Sequence, residues 1–198
     1  MVIAPIPLLD WKAVFRKRAK AARAKAAATQ KSAANFAASH FMATFAPEEP
    51  ATIALYFPVG DELDTWPLAE ALMARGHALV LPAVEGKKQP LKFRLYEVDT
   101  PLIDGAYGIK TPPTEAPELR PDIVVCPLLG IRPDGARLGM GGGYYDRTLN
   151  DLRAEGPVLA VGYGYAAQRM DRFPVDPHDA FLDGFVSEQG AEKINRRR

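Results

Sequence analysis

Arg137-Leu138-Gly139-Met140-Gly141-Gly142-Gly143-Tyr144-Tyr145-Asp146 gathers the parts of a phosphate site into one short run. Four of the five residues from Gly139 to Gly143 are glycine. Backbone without Cβ atoms takes left-handed angles and comes close to a ligand. Its amide groups can then converge on one anion. Arg137 adds a permanent charge and a fork of donors suited to phosphate oxygens. Asp146 adds a hard carboxylate oxygen of the kind Mg²⁺ accepts beside phosphates. Tyr144 and Tyr145 bring flat rings with polar tips. The run reads as a nucleotide-phosphate site with an aromatic substrate wall. The competing reading is a flexible surface loop, but a linker would be rich in Gly and Ser rather than flanked by Arg, Tyr and Asp. No Gly-Lys-Ser/Thr follows, and the dinucleotide fingerprint is not matched. Helical spacing does follow, from Tyr144 to Leu152, and a glycine loop that opens a helix is a good place to hold phosphate.

The elements that must position this loop can be read around it. Residues 10–46 form the longest helical region, bent or broken near Thr29, with Asp10 as N-cap and an Ala-rich span at 19–28. Val14, Ala21, Phe36, Phe41 and Phe45 are expected to pack it on the body. Thr52–Phe57 is a buried strand ended by Pro58 and Gly60. Asp64 or Thr65 caps a helix through Arg75, with Pro67 in its first turn and Gly76 at its stop. Ala78–Leu81 is a strand, and Leu91–Tyr96 alternates as a half-buried one. Residues 99–121, rich in Pro and Gly, are expected to run over the surface. Asp122–Cys126, Pro157–Tyr163 and Gly184–Ser187 complete the strands. This order predicts a three-layer α/β/α sandwich with a mixed, mainly parallel central sheet, Rossmann-like in kind. Ligands of such sheets sit beyond the carboxyl ends of the strands. Pro58–Thr65, Leu128–Tyr145 and Gly164–Arg169 are therefore expected to converge on one crevice.

Composition narrows the class. The 198 residues suit a single domain spanning 1–198, with residues 1–10 and 190–198 expected as flexible ends. A formal net charge of +1 does not mark a polyanion binder. Eight Lys/Arg and no acid lie between Trp11 and Pro47, which leaves open a transit segment, a nucleic-acid or membrane-surface helix, or a packed helix with a solvated basic face. The single Cys126 excludes a disulfide framework and a cysteine zinc cluster, and its apolar run marks it as structural. No stretch approaches the ~20 apolar residues of a membrane span, so a cytoplasmic monomer is expected. His40, His77 and His178 lack metal-ligand spacing, and Trp11 and Trp66 read as packing residues.

These motifs resemble those of the 5-formyltetrahydrofolate cyclo-ligase family, also called 5,10-methenyltetrahydrofolate synthetases. The likeness runs through Lys12-x-x-x-Arg16, Tyr56-Phe57-Pro58 with Glu62 and Thr65, and Leu81-Pro82-Ala83-Val84. It continues through Leu91-x-Phe93-Arg94 and Gly105-x-x-Gly108-Ile109. It is strongest from Asp134-Gly135-x-Arg137 to Asp146-Arg147, and it closes on Gly162, Gln168, Pro174, His178-Asp179 and Leu182-Asp183. The resemblance implies an enzyme that uses Mg²⁺ and ATP to turn 5-formyltetrahydrofolate into 5,10-methenyltetrahydrofolate, releasing ADP and phosphate. It implies that Lys12, Arg16, Arg137, Gly139, Gly141, Gly142, Gly143, Tyr144 and Tyr145 hold ATP. It places Phe57, Glu62, Met140, Tyr144 and Tyr145 along the folate, and Asp146 and Asp179 on Mg²⁺. Arg137, Tyr145 and Asp146 are the residues expected at the reacting atoms. Thr111, Tyr96 and Met140 stand where the family often carries Glu, Trp and Tyr.

Plainer roles compete with these. Lys12 and Arg16 belong to a run of solvated charges, Glu62 precedes a helix whose dipole it suits, Asp179 suits a turn cap, and Asp183 suits a structural tie. The alternative function is a non-catalytic folate- or nucleotide-binding relative on the same fold. A nucleic-acid role for the first helix is disfavoured, because Phe15 alone interrupts its charges between Lys12 and Lys25.

Overall fold

Ile123–Cys126 is buried at all four positions, as a strand covered on both faces must be. It sits at the centre of the sheet in the computed structural model, which describes residues 11–195. In chain order the elements are α1 (Trp11–Thr29), α2 (Ala33–Thr44), β1 (Thr52–Ala54), α3 (Trp66–Ala74), β2 (Ala78–Ala83), β3 (Lys92–Tyr96), β4 (Ile103–Asp104), β5 (Lys110–Thr111), β6 (Ile123–Cys126), β7 (Gly130–Ile131), β8 (Arg137–Leu138), α4 (Tyr144–Glu155), β9 (Leu159–Tyr163), β10 (Gly184–Ser187) and β11 (Gly190–Lys193). Seven strands form the main sheet in the order β11-β10-β9-β6-β1-β2-β3. The five inner strands run parallel, and β3 and β11 close the edges antiparallel. Helices α2 and α3 pack Phe41, Leu68 and Leu72 on one face against Ile53, Leu79 and Val125. Helix α4 sets Leu149 on the other, against Val80, Val124 and Cys126. The sheet is thus the middle layer of an α/β/α sandwich, as its strand and helix order predicts.

The long N-terminal helical region does break after Thr29. The Thr29 hydroxyl bonds back to the Lys25 carbonyl at 3.0 Å, and α2 begins at Ala33. Asp10, expected as its cap, lies outside the described residues. The packing face of α1 differs from the expected one. Val14 is 41% exposed and Phe36 57% exposed, and Ala21 is exposed as well. Ala19, Arg23 and Ala26 are the buried positions instead. They share a face with Lys12 and Arg16, because steps of 3, 4 and 7 residues return to one side of a helix. Phe41 and Phe45 are buried as expected, whereas Trp11 is 58% exposed.

Three smaller elements escaped the sequence pattern. Residues 103–111 are not a featureless surface run: β4 and β5 pair antiparallel. β7 and β8 form a second hairpin, turned by Asp134-Gly135. Gly135 has φ +88°, and a Cβ there would lie 2.4 Å from the Leu182 carbonyl oxygen. The expected flexible end from residue 190 is corrected by β11, whose register fixes Gly190 to Lys193 on β10. A lone parallel-sheet edge exposes unpaired backbone groups, and this hairpin covers them.

Candidate functional site

A cavity of about 670 Å³ opens where β1, β2 and β6 end, the place predicted for ligands of an open α/β sheet. The size suits a drug-sized or cofactor-sized ligand. Three parts build it. Helix α1 lays Lys12, Arg16 and Arg23 along one wall. The eleven steps of helix from Lys12 to Arg23 make that wall about 16 Å long. The turn after β1 brings Phe57 and Glu62, and the segment from Pro127 to Asp146 brings the glycine loop. All fourteen residues singled out from the sequence line this one cavity: Lys12, Arg16, Phe57, Glu62, Arg137, Gly139, Met140, Gly141, Gly142, Gly143, Tyr144, Tyr145, Asp146 and Asp179.

The glycine loop is shaped by arginines pressed against it. Arg16 Nε donates to the Gly139 carbonyl at 3.1 Å. A Cβ on Gly139 would lie 2.8 Å from an Arg137 guanidinium nitrogen and would displace that group. Gly143, at φ +67°, is the left-handed entry to α4. The first-turn amides of that helix have no partner within it and carry the positive end of its dipole. Arg137 comes from β8 and is buried. One of its nitrogens donates to Asp146 Oδ1 at 2.9 Å and another to the Pro127 carbonyl at 3.3 Å. Its guanidinium also lies 5.5 Å from the centre of the Tyr145 ring. Asp146 Oδ1 accepts a further bond from the Ala180 amide at 3.2 Å.

Lys12 is gripped by two carboxylates, Asp176 and Asp179, each at 2.7 Å. Hydrogen bonding to both raises its pKa even though burial acts the other way. Asp179 Oδ2 also accepts the Asp176 amide at 2.8 Å, so it caps a turn as well as facing the cavity. Among the described residues, no group of three or more His, Cys, Asp or Glu is placed to hold a metal. That donor set fits Mg²⁺ if the ion takes one or two carboxylates here and its remaining oxygens from phosphate and water.

Elsewhere in the cavity one carboxylate, Glu62, sits among aromatic side chains. Glu62 Oε2 accepts the Val59 amide at 3.0 Å, and Oε1 lies 3.4 Å from Arg23. Burial pushes the Glu62 carboxyl above its usual range, against the pull of the Val59 amide and Arg23. Burial likewise raises the phenols of Tyr56 and Tyr145, which stay neutral donors. Phe57 meets Trp66 edge-on at 5.9 Å, and Trp66 in turn leans on Tyr96. The β4–β5 hairpin overhangs the mouth, where the Tyr107 and Tyr144 hydroxyls meet at 2.9 Å. Met140 lies 59% exposed at that rim.

Several sequence readings are corrected or refined here. Gly164–Arg169 does not line the cavity. Its Gln168 is buried and props the loop from behind, donating to the Leu128 carbonyl at 2.5 Å. Tyr96 stands outside the cavity walls, and Thr111 turns its hydroxyl to the Pro82 carbonyl at 3.0 Å. Asp183 ties Arg153 and the Ala160 amide together, a structural role. Arg23, Asp176 and Tyr107 were missed. The spacing 12-16-23 on one helix face would have revealed Arg23. Tyr107 and Asp176 carry no such local signal, because the hairpin and a distant turn bring them in.

A mainly parallel α/β sheet with a glycine loop opening a helix, and a cavity lined by cations at the strand ends, defines an enzyme of the α/β class. The chain belongs to the 5-formyltetrahydrofolate cyclo-ligase family, whose sequence model matches residues 9–188. It is similar to the 5-formyltetrahydrofolate cyclo-ligase of Haemophilus influenzae, 34% identical over 66% of this chain and 72% of that one. It is 32% identical to that of Escherichia coli K12, over 74% of this chain and 83% of the relative. The solution structure of Aquifex aeolicus 5,10-methenyltetrahydrofolate synthetase superposes with a TM-score of 0.77 at 27% identity, covering 94% of each chain. The structure of a Mycoplasma pneumoniae 5,10-methenyltetrahydrofolate synthetase superposes with a TM-score of 0.70 at 25% identity, over 89% of this chain and 98% of the other.

Proposed function

We propose that this enzyme converts 5-formyltetrahydrofolate to 5,10-methenyltetrahydrofolate at the expense of ATP, with Mg²⁺ as the metal. One observation carries the reading: a single cavity joins a glycine loop flanked by Lys12, Arg16 and Arg137 to a wall of aromatic side chains that holds Glu62. A triphosphate suits the first and a reduced pteridine the second.

The chemistry follows from a poor leaving group. The N5-formyl oxygen attacks the γ-phosphorus of ATP, and ADP departs. The N10 amine then attacks the activated formyl carbon. Phosphate leaves with the formyl oxygen, N10 loses its proton, and the methenyl bridge closes between N5 and N10. Phosphoryl transfer asks the protein chiefly for alignment and positive charge. Lys12, Arg16 and Arg137 supply that charge, and the loop amides from Gly139 to Tyr145 cradle the phosphates. Asp146, with Asp179, would hold Mg²⁺, which when bound neutralises phosphate charge. Tyr145, stacked on Arg137, fixes the guanidinium beside the reacting oxygens. Glu62 accepts hydrogen bonds from the pterin ring, while Phe57, Met140 and Tyr144 wall it. No side-chain nucleophile is required, and the Cys126 thiol, buried and pushed up to about 12, does not serve as one.

The test is to incubate the purified protein with 5-formyltetrahydrofolate and Mg-ATP. Absorbance of the methenyl product should rise in step with ADP. A folded sample that binds both ligands and releases no ADP would instead be a non-catalytic binding protein. The enzyme is proposed to act in the cytoplasm. Among the described residues no helix is long and apolar enough to cross a membrane.

A further inference from the structure

Arg23 is 6% exposed and sits in the wall of the cavity, yet a helix as rich in alanine as α1 has no packing need for a guanidinium there. A buried charge survives where its partners are arranged around it. Here they are two adjacent acids. One Arg23 nitrogen meets Asp61 Oδ1 at 2.5 Å, and the other lies 3.4 Å from Glu62 Oε1. The short contact fixes the plane of the guanidinium. The longer one places its charge behind Glu62 while leaving that carboxylate directed by its second oxygen, which the Val59 amide holds at 3.0 Å. The Arg23 Nε is buried with no hydrogen-bond partner among the described residues, and the two terminal nitrogens carry the hydrogen bonds, to Glu62 and Asp61.

We infer that Arg23 is a positioning residue for substrate: anchored by Asp61, it orients Glu62 to receive the N–H donors of the reduced heterocycle. The inference rests on the reading of Glu62 as a ligand of that ring. The charged and titratable groups around Glu62 are Arg23 from α1, Asp61 beside it, Tyr56 beyond β1 and Tyr145 on α4. The two phenols are neutral near pH 7, because burial pushes them up. Arg23 is therefore the one cation among these groups that keeps Glu62 an acceptor against the cost of burial.

The experiment compares Arg23→Met, Arg23→Lys, Glu62→Gln and the Arg23→Met/Glu62→Gln pair in steady-state turnover of 5-formyltetrahydrofolate and Mg-ATP across pH. Arg23→Met should raise KM for the folate about tenfold or more and leave KM for ATP within about twofold. It should also move the acid limb of kcat/KM for the folate upward by about one pH unit, as loss of a nearby opposite charge requires. Arg23→Lys should return the acid limb while recovering only part of KM, because the planar fork is gone. The double variant should bind folate no worse than Glu62→Gln alone, and with both charges removed it also guards against misfolding of Arg23→Met. An Arg23→Met enzyme with an unmoved acid limb, or a double variant with additive losses, would overturn the inference while leaving Glu62 as a ligand. A Glu62→Gln enzyme with unchanged folate KM would overturn both readings.

Discussion

At the scale of single residues, the Arg137–Asp146 pair decides how much of the site is also scaffold. The arginine side chain is 5% exposed and the aspartate 20%. Removing the cation leaves Asp146 with the Ala180 amide and little else, so Arg137→Ala should lose about 2 kcal/mol in urea unfolding, below the usual cost for a fully buried pair. Its turnover should fall at least about 100-fold, as when a donor to developing charge is lost. Arg137→Lys keeps the charge without the fork, and it should recover stability better than rate. Glu62 gives a pH test with a definite sign. Its folded pKa lies above 4.5, so the native state binds more protons than the unfolded one. The contribution of Glu62 to stability then falls as pH rises from 4.5 through the raised value, and it is lost above it. The urea midpoint of the wild type measured against that of Glu62→Gln should therefore decline across that range. Equal slopes would mean that Glu62 titrates normally.

At the scale of elements, α1 is the part on which most depends. Lys12 ties its start to Asp176 and Asp179, while Arg16 holds the glycine loop. Lys12→Ala should raise KM for ATP about tenfold and speed amide hydrogen exchange in the first turns of α1. Unchanged exchange there would show that the tie is idle. One residue inserted between Lys20 and Ala21 would turn Arg23 by about 100° from Lys12 and Arg16. Such an insertion should abolish turnover while helix content by circular dichroism persists. The same helix shows what the sequence concealed. Hydrophobicity draws Val14 and Ala21 inward, but the helix turns its polar stripe to the cavity, so the expected face is displaced. The strands were legible because β6, β9 and β10 are runs of buried residues bounded by turns. The hairpins β4–β5 and β7–β8 were not, since strands of two residues leave no period to read. The glycine loop was legible because its chemistry is local in sequence, whereas Tyr107 and Asp176 acquire theirs from partners far along the chain.

At the scale of the whole molecule, the central strand carries a built-in reporter. Cys126 is fully buried and its thiol is pushed up to about 12, so at pH 8 only about one molecule in 10⁴ holds a thiolate. Alkylation should be negligible until the sheet opens, and saturating ATP should slow it further, because a ligand that binds the native state stabilises it. Fast alkylation of folded protein would contradict the burial. The Lys12 tie also joins partners separated by 164 and 167 positions. During synthesis the first helix therefore emerges long before its acidic partners exist. A growing polypeptide that has reached only Phe173 would carry the glycine loop and every cation of the cavity, yet lack the turn that fastens α1 across it. Nucleotide should be retained weakly by a fragment ending there and firmly by a chain that includes Asp176, Asp179 and strand β10, so binding competence waits on residues made long after the helix they fasten.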